Sequence, residues 1–329
     1  MALLMPPEWS KHERTWLAWP AADFEQSEDA YLVWSEVANV ASEYEQVTVI
    51  VNSHQRSIAQ RYLSSEIELL ECPLDHCWLR DTGPSFVIEN GKLAAIDWKF
   101  NGWGAPAGRY KYELDNKVAR FMAEQVCARL VESPLINEGG AIHTNGKGLL
   151  LATETVQLGI ERNPNWTRTK VECELNSKLG TDQVIWIHRG LTRDYESFGT
   201  LGHVDIVACF ASENLLLVHD QTNESHPDYI VSRDVISKLT QQTKCEIVRV
   251  PAPRILNDTY GFVDYSYINH YILNDAVLLC TFGDPSDSIA KSILEEVYHG
   301  RQIRMIDARP MFERGGGIHC ITQQQPAVL

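Results

Sequence analysis

The sequence lacks the paired cysteines, the long apolar runs and the excess of positive charge that characterise three large classes of protein. Its eight cysteines are scattered and form no Cys-x-x-Cys pair, which disfavours a zinc ribbon or a disulfide scaffold and favours a reducing, cytoplasmic location. No stretch of about 18 uninterrupted apolar residues is present, so no membrane span is expected. The N-terminal apolar run is short and follows no basic region, so no secretory signal is expected either.

Positive charge is scarce relative to negative charge. Lys and Arg number 29 against 44 Asp and Glu, a formal net charge of −15. Such a chain repels phosphate backbones, so no nucleic-acid partner is expected, and a small cationic substrate suits it better. With 329 residues, 44% of them hydrophobic, and no Pro/Ser-rich linker, the sequence predicts a single catalytic domain over residues 1–329. It leaves open whether the protein forms a homo-oligomer.

A unit of hairpin, helix and strand recurs along the chain. Four hairpins are predicted from pairs of apolar runs joined by short polar loops: 86–89 with 93–98, 141–144 with 149–153, 204–210 with 215–219, and 267–273 with 276–282. Helical periodicity follows at 114–131, 167–179, 229–239 and 286–298, and further strands at 183–187, 246–250 and 302–306. Asp284 and Pro285 are typical of a helix start.

A fifth unit requires both ends of the chain. The N-terminal part supplies an apolar run at 15–19, a helix at 31–45 and a strand at 47–52, and the C-terminal part supplies a last strand at 317–323. A period of about 60 to 70 residues, closed by joining the termini, indicates a radial array of modules about a central axis. The predicted fold class is therefore α/β, with five pseudo-symmetric strand–hairpin–helix modules.

Polar segments rich in small residues come just before the first strand of several hairpins. They span residues 77–84, 137–140, 199–205 and 315–320. Equivalent positions of a radial array converge on its axis, so one pocket is expected to hold three carboxylates, an imidazole and a thiol. These are the side chains of Asp81, Glu138, Asp205, His203 and Cys320.

Together these groups favour chemistry on a guanidinium group. Several carboxylates suit a planar cation with many N–H donors. A thiolate is a nucleophile whose pKa falls beside a positive charge, and an imidazole can give a proton to a leaving amine and later take one from water. We therefore predict attack by Cys320 on a guanidinium carbon, loss of ammonia, and hydrolysis of a covalent thiouronium intermediate. On a strand, His203 and Asp205 would share one face.

Each residue taken alone also has a structural interpretation. Cys320 is also consistent with a buried inert thiol, and His203 with an ordinary contact to Asp205. A metal site on the pairs His203/Asp205 and His319/Cys320 is disfavoured, because no helix pair or Cys-x-x-Cys spacing supports it. The glycines at 315–317 lack the Gly-Lys-Ser/Thr ending of a phosphate loop. Neither a metal nor a cofactor is expected.

Several motifs in this order resemble those of the agmatine deiminase family, which includes the Porphyromonas-type peptidylarginine deiminases. They are Met5-Pro6-Pro7-Glu8-Trp9, Thr15-Trp16-Leu17-Ala18-Trp19-Pro20, Trp78-x-x-Asp81-x-Gly-Pro, Phe100-Asn101-Gly102-Trp103-Gly104, Glu138-Gly-Gly, Gly202-His203-x-Asp205, Ser266-Tyr267-Ile268-Asn269 and Gly-Gly-x-Ile-His-Cys320-Ile-Thr-Gln-Gln. Jointly the matches are specific and cover essentially the whole chain.

The resemblance implies the five-bladed α/β propeller of guanidine-modifying enzymes (the pentein type), with no metal or cofactor. It implies conversion of agmatine and water to N-carbamoylputrescine and ammonia, a step toward putrescine. Cys320 would be the nucleophile and His203 the acid/base. The guanidinium would be held by Asp81, Asp205 and Glu138, and the remaining substrate-binding residues would be Trp78, Trp103, Asn269 and Gly317.

One segment departs from the family pattern. Gly199 and Leu201 stand where the family usually has an acidic and a polar residue, and Ile206 replaces a polar one. Glu196 or Asp194 is a candidate to replace the lost charge. The alternatives are therefore another guanidino substrate (arginine, a guanidino acid or a peptidyl arginine), amidino transfer to an amine, or a non-catalytic propeller that binds guanidinium or polyamine. A substrate with a carboxylate would need an arginine or lysine in the pocket, which the sequence alone does not place.

Overall fold

The computed structural model describes residues 3–21, 24–106 and 109–328; the two ends of the predicted domain, residues 1 and 329, lie outside these ranges. Within these ranges the chain forms nineteen strands and ten α-helices. The strands are β1 (Leu3–Leu4), β2 (His12–Ala18), β3 (Gln46–Val51), β4 (Glu68–Glu71), β5 (Ser85–Glu89), β6 (Lys92–Lys99), β7 (Arg129–Ile136), β8 (Ile142–Thr144), β9 (Leu149–Thr153), β10 (Gln183–Ile187), β11 (Ala208–Ser212), β12 (Leu215–Asp220), β13 (Glu246–Pro251), β14 (Asn257–Asp258), β15 (Gly261–Phe262), β16 (Tyr271–Ile272), β17 (Ala276–Thr281), β18 (Gln302–Asp307) and β19 (Thr322–Pro326). The helices are α1 (Glu28–Ser42), α2 (Arg56–Tyr62), α3 (Leu79–Thr82), α4 (Val118–Gln125), α5 (Glu154–Gln157), α6 (Arg168–Leu179), α7 (Asp228–Gln242), α8 (Ser286–Val297), α9 (Arg309–Phe312) and α10 (Ile318–Ile321).

Five sheets are built in the same way: an antiparallel pair is followed by a helix and then by a strand that joins in parallel. Their orders are β19-β2-β3-β4, β1-β5-β6-β7, β8-β9-β10, β11-β12-β13 and β16-β17-β18. The parallel partners are joined across α1, α4, α6, α7 and α8, since a parallel connection needs a crossover. A short two-stranded sheet, β14-β15, lies between β13 and β16 along the chain.

The four predicted hairpins are found as β5-β6, β8-β9, β11-β12 and β16-β17. The strand predicted over 267–273 is wrong at its start, because residues 267–269 form a turn and β16 begins only at Tyr271. In the first hairpin, Asn90 and Gly91 have φ values of 52° and 71°, as a two-residue turn of this kind requires. The helices predicted at 167–179, 229–239 and 286–298 are also confirmed, and Pro285 is the residue that precedes α8. The side chain of Thr167 caps α6, and Gly180, with a φ of 68°, ends it.

The helix predicted at 114–131 is wrong in its second half. Helix α4 ends at Gln125, Cys127 turns the backbone with a φ of 52°, and β7 begins at Arg129. The reason is strand pairing: β7 lies parallel to β6, and this pairing overrides the helical periodicity of the segment.

The two ends of the chain meet in one sheet, as predicted for the fifth unit. Strand β19 pairs antiparallel with β2, with Gln324 opposite Thr15. The predicted last strand at 317–323 is wrong at its start, however, because α10 occupies most of that segment and the strand begins only at Thr322.

The strand predicted from residue 204 also begins later, at Ala208. The backbone N–H groups of Val204 and Asp205 both donate to the carbonyl of Gly140 in the neighbouring unit, at 3.2 Å each. Because these two N–H groups are bonded to the Gly140 carbonyl, they cannot pair with a neighbouring strand, and the segment forms a turn instead. His203 and Asp205 consequently do not share the face of a strand.

The segments that precede the first hairpin strands pack on one another. Helix α3 contacts α10 and the turn Gly139–Ala141, and α10 contacts the turn Tyr267–Asn269. Around them lies an apolar core with Trp16, Trp34 and Phe282 fully buried. Within the described ranges, no helix combines the length and the hydropathy that a membrane crossing requires.

Candidate active site

Polar side chains from five equivalent segments meet in the buried centre of these contacts. Each segment lies immediately before the first strand of one hairpin pair: before β5, β8, β11, β16 and β19. The side chains supplied, in that order, are those of Asp81, Glu138, His203 with Asp205, Asn269, and Cys320, all of them buried. The structure thus brings together the five residues that were expected to converge, and adds Asn269, which lies just before β16.

Asp81 is fixed by two hydrogen bonds. Its Oδ1 accepts from the backbone N–H of Gly140 at 3.1 Å, and its Oδ2 accepts from the indole N–H of Trp103 at 2.9 Å. Burial raises the pKa of Asp81, and the nearby carboxylates of Glu138 and Asp205 add to this, against the positive charge of His203.

His203 lies between two carboxylates. Its Nδ1 is 3.8 Å from Asp81 Oδ1, and its Nε2 is 3.4 Å from Glu138 Oε2. Burial opposes the charged imidazolium, but Asp81, Glu138 and Asp205 outweigh it and raise the pKa of His203 to about 9. The residue is therefore positively charged at neutral pH.

Glu138 contacts His203 and, like His203 and Asp205, is not among the residues that line the cavity beside Cys320. Nε of Arg162 donates to its two carboxylate oxygens at 2.9 and 3.1 Å, and Nη2 of Arg162 donates to the carbonyl of Thr200 at 2.6 Å. Burial opposes the carboxylate, but Arg162 and His203 outweigh it and lower the pKa of Glu138. Both oxygens thus already have cationic partners, so Glu138 is placed to support His203. Arg162 belongs to none of the motifs that the sequence suggested.

Cys320 lies in α10 with its sulfur among three polar groups. The thiol is 3.5 Å from Asp205 Oδ2, the amide of Asn269 donates to it at 3.3 Å, and the backbone N–H of Gly317 also points to it. Burial and then the charges of Asp205 and Asp81 raise the pKa of Cys320 well above its usual range. Without a bound cation, this residue is a thiol.

Asp205 has one oxygen engaged and one unengaged. Its Oδ2 accepts a hydrogen bond from Nδ1 of His319 at 2.9 Å, whereas its buried Oδ1 has no hydrogen-bond partner in the part of the chain that the structure describes. Burial opposes the charge, but His319 and then His203 outweigh it and lower the pKa of Asp205. Asp205 is therefore an ionised carboxylate with an unused acceptor.

Three glycines allow the backbone to lie close to the side chains of the site. A Cβ on Gly140 would lie 2.6 Å from Nδ1 of His203, and one on Gly316 would lie 2.7 Å from the ring of Trp78 and 3.1 Å from the sulfur of Cys320. A Cβ on Gly317 would lie 2.5 Å from the side-chain oxygen of Asn269. No side chain larger than hydrogen fits at these positions without moving the site.

A cavity of about 200 Å³ opens onto Cys320 and Asp81. Two of its walls are the predicted substrate-binding residues Trp78 and Trp103. Further lining residues were not predicted: Phe24, His76, Tyr110, Phe198, Thr200 and Arg314. Thr200 lies in the polar segment 199–205 that the sequence analysis singled out, whereas the other five lie outside the four predicted segments and were brought to the cavity by the fold. The aromatic walls suit the aliphatic chain of a cation.

The loop at 199–202 explains the departure from the family pattern. A side chain at Gly199 would collide with the backbone of Asp194, and Leu201, with a φ of 67°, lines a separate cavity beside Tyr195. The Asp194 carboxylate accepts from the backbone N–H groups of Gly202 at 2.8 Å and of His203 at 2.9 Å.

Asp194 therefore holds the loop and the backbone of His203. The other candidate for the lost charge, Glu196, is exposed and lines a neighbouring cavity. Neither lines the cavity that opens onto Cys320.

The metal alternative has no geometric counterpart in the described ranges: no group of three or more His, Cys, Asp or Glu residues there is arranged to hold an ion.

The chain is similar to known proteins over nearly its whole length. The family described as Porphyromonas-type peptidyl-arginine deiminase matches residues 4–326. A Streptomyces coelicolor protein that carries the provisional name agmatine deiminase is 46% identical, with 99% of each chain covered. A Stutzerimonas stutzeri agmatine deiminase is 33% identical and is covered over 95% of its length by 98% of this chain. Among solved structures, the agmatine deiminase of Enterococcus faecalis is similar with a TM-score of 0.93 at 26% identity, covering 100% of this chain and 97% of that one.

Proposed function

The chain belongs to the Porphyromonas-type peptidyl-arginine deiminase family, and from this premise we propose that it is an agmatine deiminase. It hydrolyses a C–N bond of agmatine and releases N-carbamoylputrescine and ammonia. The observation that carries this function is the buried thiol of Cys320 beside Asp205, Asp81 and the positively charged His203. Relatives named agmatine deiminase, similar over nearly the whole chain, support the choice of substrate.

The five similar sheets are proposed to be the blades of one α/β propeller in a single domain. This is supported by their common strand order, by the pairing of both chain ends in one sheet, and by the equivalent positions of the site residues. Eight free cysteines support a cytoplasmic location, and the net charge of −15 supports a small cationic partner over a nucleic acid or an acidic membrane surface.

Substrate binding is the first step. The planar guanidinium group donates N–H hydrogen bonds to Asp81 and to the unengaged Oδ1 of Asp205. The cation then lies beside Cys320, where it offsets the carboxylates that keep the thiol protonated. The pKa of the thiol falls, its proton leaves to solvent, and the amide of Asn269 with the N–H of Gly317 stabilises the thiolate.

Bond making and breaking follow. The sulfur of Cys320 attacks the guanidinium carbon, and the imidazolium of His203 gives its proton to the departing nitrogen, which leaves as ammonia. The product of this step is a thiouronium on Cys320. Neutral His203 then takes a proton from water, which attacks the same carbon, and the C–S bond breaks to release the urea product. Glu138 and Asp81 favour the charged state of His203 between turnovers.

Free arginine or another guanidino acid is the second candidate substrate, because Arg314 lines the cavity. Its Nη2 donates to the hydroxyl of Ser27 at 2.8 Å and its Nη1 to the carbonyl of Pro310 at 2.6 Å. A guanidinium at this place would attract a substrate carboxylate and repel a distal ammonium. If arginine is the substrate, Arg314→Gln lowers kcat/KM for arginine and raises it for agmatine.

The test is ammonia release from agmatine and from arginine, each with a Cys320→Ala variant. Cys72→Ala is the matched control, since Cys72 and Cys320 are equally buried, each 7% exposed, and Cys72 lies outside the cavity. We expect agmatine turnover to fall by at least about 10⁴-fold in Cys320→Ala and to persist in Cys72→Ala. Turnover that survives in Cys320→Ala would refute the mechanism.

Two other outcomes would replace the proposed activity. Tight agmatine binding without ammonia would indicate a binding protein. An amidinated acceptor without matching ammonia would indicate amidino transfer.

A further inference from the structure

A buried chain of polar groups links Asp205 to Glu8 through His319, and these three residues are not among those that line the cavity that opens onto Cys320. Nδ1 of His319 is 2.9 Å from Asp205 Oδ2, and Nε2 of the same ring is 2.9 Å from Oε1 of Glu8. All three side chains are buried. The steps proposed above use neither His319 nor Glu8, yet these two residues connect the N-terminal segment to a carboxylate that contacts the nucleophile.

Glu8 is a buried anion surrounded by cationic groups. Besides His319, Nη1 of Arg80 is 3.5 Å from its Oε1, and Nε2 of His143 is 3.6 Å from its Oε2. Burial opposes the charge, but His319, His143 and Arg80 outweigh it and lower the pKa of Glu8 well below its usual range. Glu8 is thus a fixed negative charge at neutral pH.

The groups that face His319 come from several elements. Asp205 and Glu8 bond to its ring, and Arg80 donates from α3 to its backbone carbonyl at 3.3 Å. The ring of His143 has its centroid 6.5 Å away, and His270 lines the same small cavity as His319. Burial and Arg80 lower the pKa of His319, but Glu8 and Asp205 outweigh them and raise it. Glu8 therefore favours the imidazolium, and the imidazolium favours the carboxylate of Asp205.

We propose that His319 and Glu8 are positioning residues: the His319 ring, held by Glu8, fixes Asp205 as a carboxylate whose Oδ1 remains open to the substrate guanidinium. This inference deepens the proposed deiminase function and rests on it for the role of Asp205. It gives a chemical task to two motifs, Met5-Pro6-Pro7-Glu8-Trp9 and the histidine before Cys320.

The variant that tests this proposal is Glu8→Gln, with Glu45→Gln as the matched control. Glu45 forms a similar buried pair, in which Nδ1 of His12 lies 3.0 Å from its Oε1, but it does not touch Asp205 or Cys320. Loss of the negative charge on Glu8 lowers the pKa of His319, so the imidazolium is less favoured. The pKa of Asp205 rises in turn, and Asp205 must be ionised to bind substrate. The acidic limb of kcat/KM then moves to higher pH.

On the acidic limb we expect KM for agmatine to rise about tenfold in Glu8→Gln, because the limb shifts upward by about one pH unit. KM at neutral pH and kcat at saturating agmatine should stay nearly unchanged, since Asp205 remains ionised there. Glu8→Asp, which keeps the charge, restores the acidic limb. Glu45→Gln leaves the limb in place. A folded Glu8→Gln enzyme whose acidic limb of kcat/KM lies at the same pH as in wild type would overturn the proposal. If Glu8→Gln does not fold, His319→Gln, which retains a neutral donor for Asp205, must show the same shift.

A second measurement needs no substrate. Nitrogen NMR of histidine-labelled protein reports the charge of each ring, and the His319 signal is identified by its loss in His319→Gln. In Glu8→Gln the pKa of His319 should fall by about one unit, which corresponds to a tenfold loss of preference for the imidazolium; Glu45→Gln should leave it unchanged. Identical titration of His319 in Glu8→Gln and wild type overturns the proposal. An enzyme that releases no ammonia from agmatine refutes the proposed function, and the NMR result still decides this inference.

Discussion

Gly140 is the position at which the addition of one methyl group should remove most of the activity. An alanine Cβ there would lie 2.6 Å from Nδ1 of His203, 3.0 Å from Asp205 Oδ2 and 3.1 Å from Asp81 Oδ1. Ordinary van der Waals contact begins near 3.4 Å, so the imidazole must move by 3.4 − 2.6, about 0.8 Å. The acid/base and both substrate carboxylates would be displaced together.

The size of the effect follows from this displacement. A misplacement of about 1 Å in a catalytic site reduces the rate on the order of 100-fold, which corresponds to about 2.7 kcal/mol of transition-state stabilisation. We therefore expect Gly140→Ala to lower kcat/KM for agmatine by at least about 100-fold. The free energy of unfolding should fall by only about 1–3 kcal/mol, as is usual for an overpacked core position.

The assay is steady-state ammonia release, together with thermal unfolding of each variant. Gly300→Ala is the control: Gly300 has a φ of +86° and open space around it, so alanine there should reduce stability by about 1–2 kcal/mol through its backbone conformation and leave the site intact. A folded Gly140→Ala enzyme that retains more than about a tenth of the wild-type kcat/KM would contradict this prediction.

Three further predictions follow from the same geometry. Glu138→Gln should lower the pKa of His203 from about 9, and because the imidazolium must be present to release ammonia, the alkaline limb of the pH profile of kcat should move to lower pH by about one unit. Trp103→Phe removes the 2.9 Å hydrogen bond to Asp81 and should raise KM for agmatine about tenfold, as is typical for a bond to a charged group. Asp194→Asn weakens the bonds that hold the loop and should lower the free energy of unfolding by about 2 kcal/mol in thermal or urea unfolding.

Local sequence signals predicted the repeating unit well where the pattern of apolar residues and the turn or capping residues indicated the same boundaries. Alternating apolar runs around Asn90-Gly91 specified the first hairpin, and a capping threonine and a terminal glycine bounded α6. The errors lie where a neighbouring unit decides the backbone. The carbonyl of Gly140 converts the segment after His203 into a turn, and pairing with β6 converts the end of a predicted helix into β7.

The candidate site was predictable to the extent that its residues occupy equivalent places in the repeat. Asp81, His203 and Cys320 were expected to converge for that reason, and the structure places them together. Arg162 could not have been found, because the contact that matters is with Glu138, 24 residues away and fully buried. Arg314 likewise reaches the cavity only through the packing of α9 and the loop that follows it.

The most direct test of the account is the covalent intermediate itself. Wild-type enzyme is mixed with agmatine, quenched in acid during turnover, and digested for mass spectrometry. We expect the mass of the peptide bearing Cys320 to increase by that of agmatine less ammonia. The masses of the peptides bearing the other cysteines should not change. Ammonia released with no adduct in wild type and undiminished in Cys320→Ala, or an adduct on another cysteine, would contradict the account.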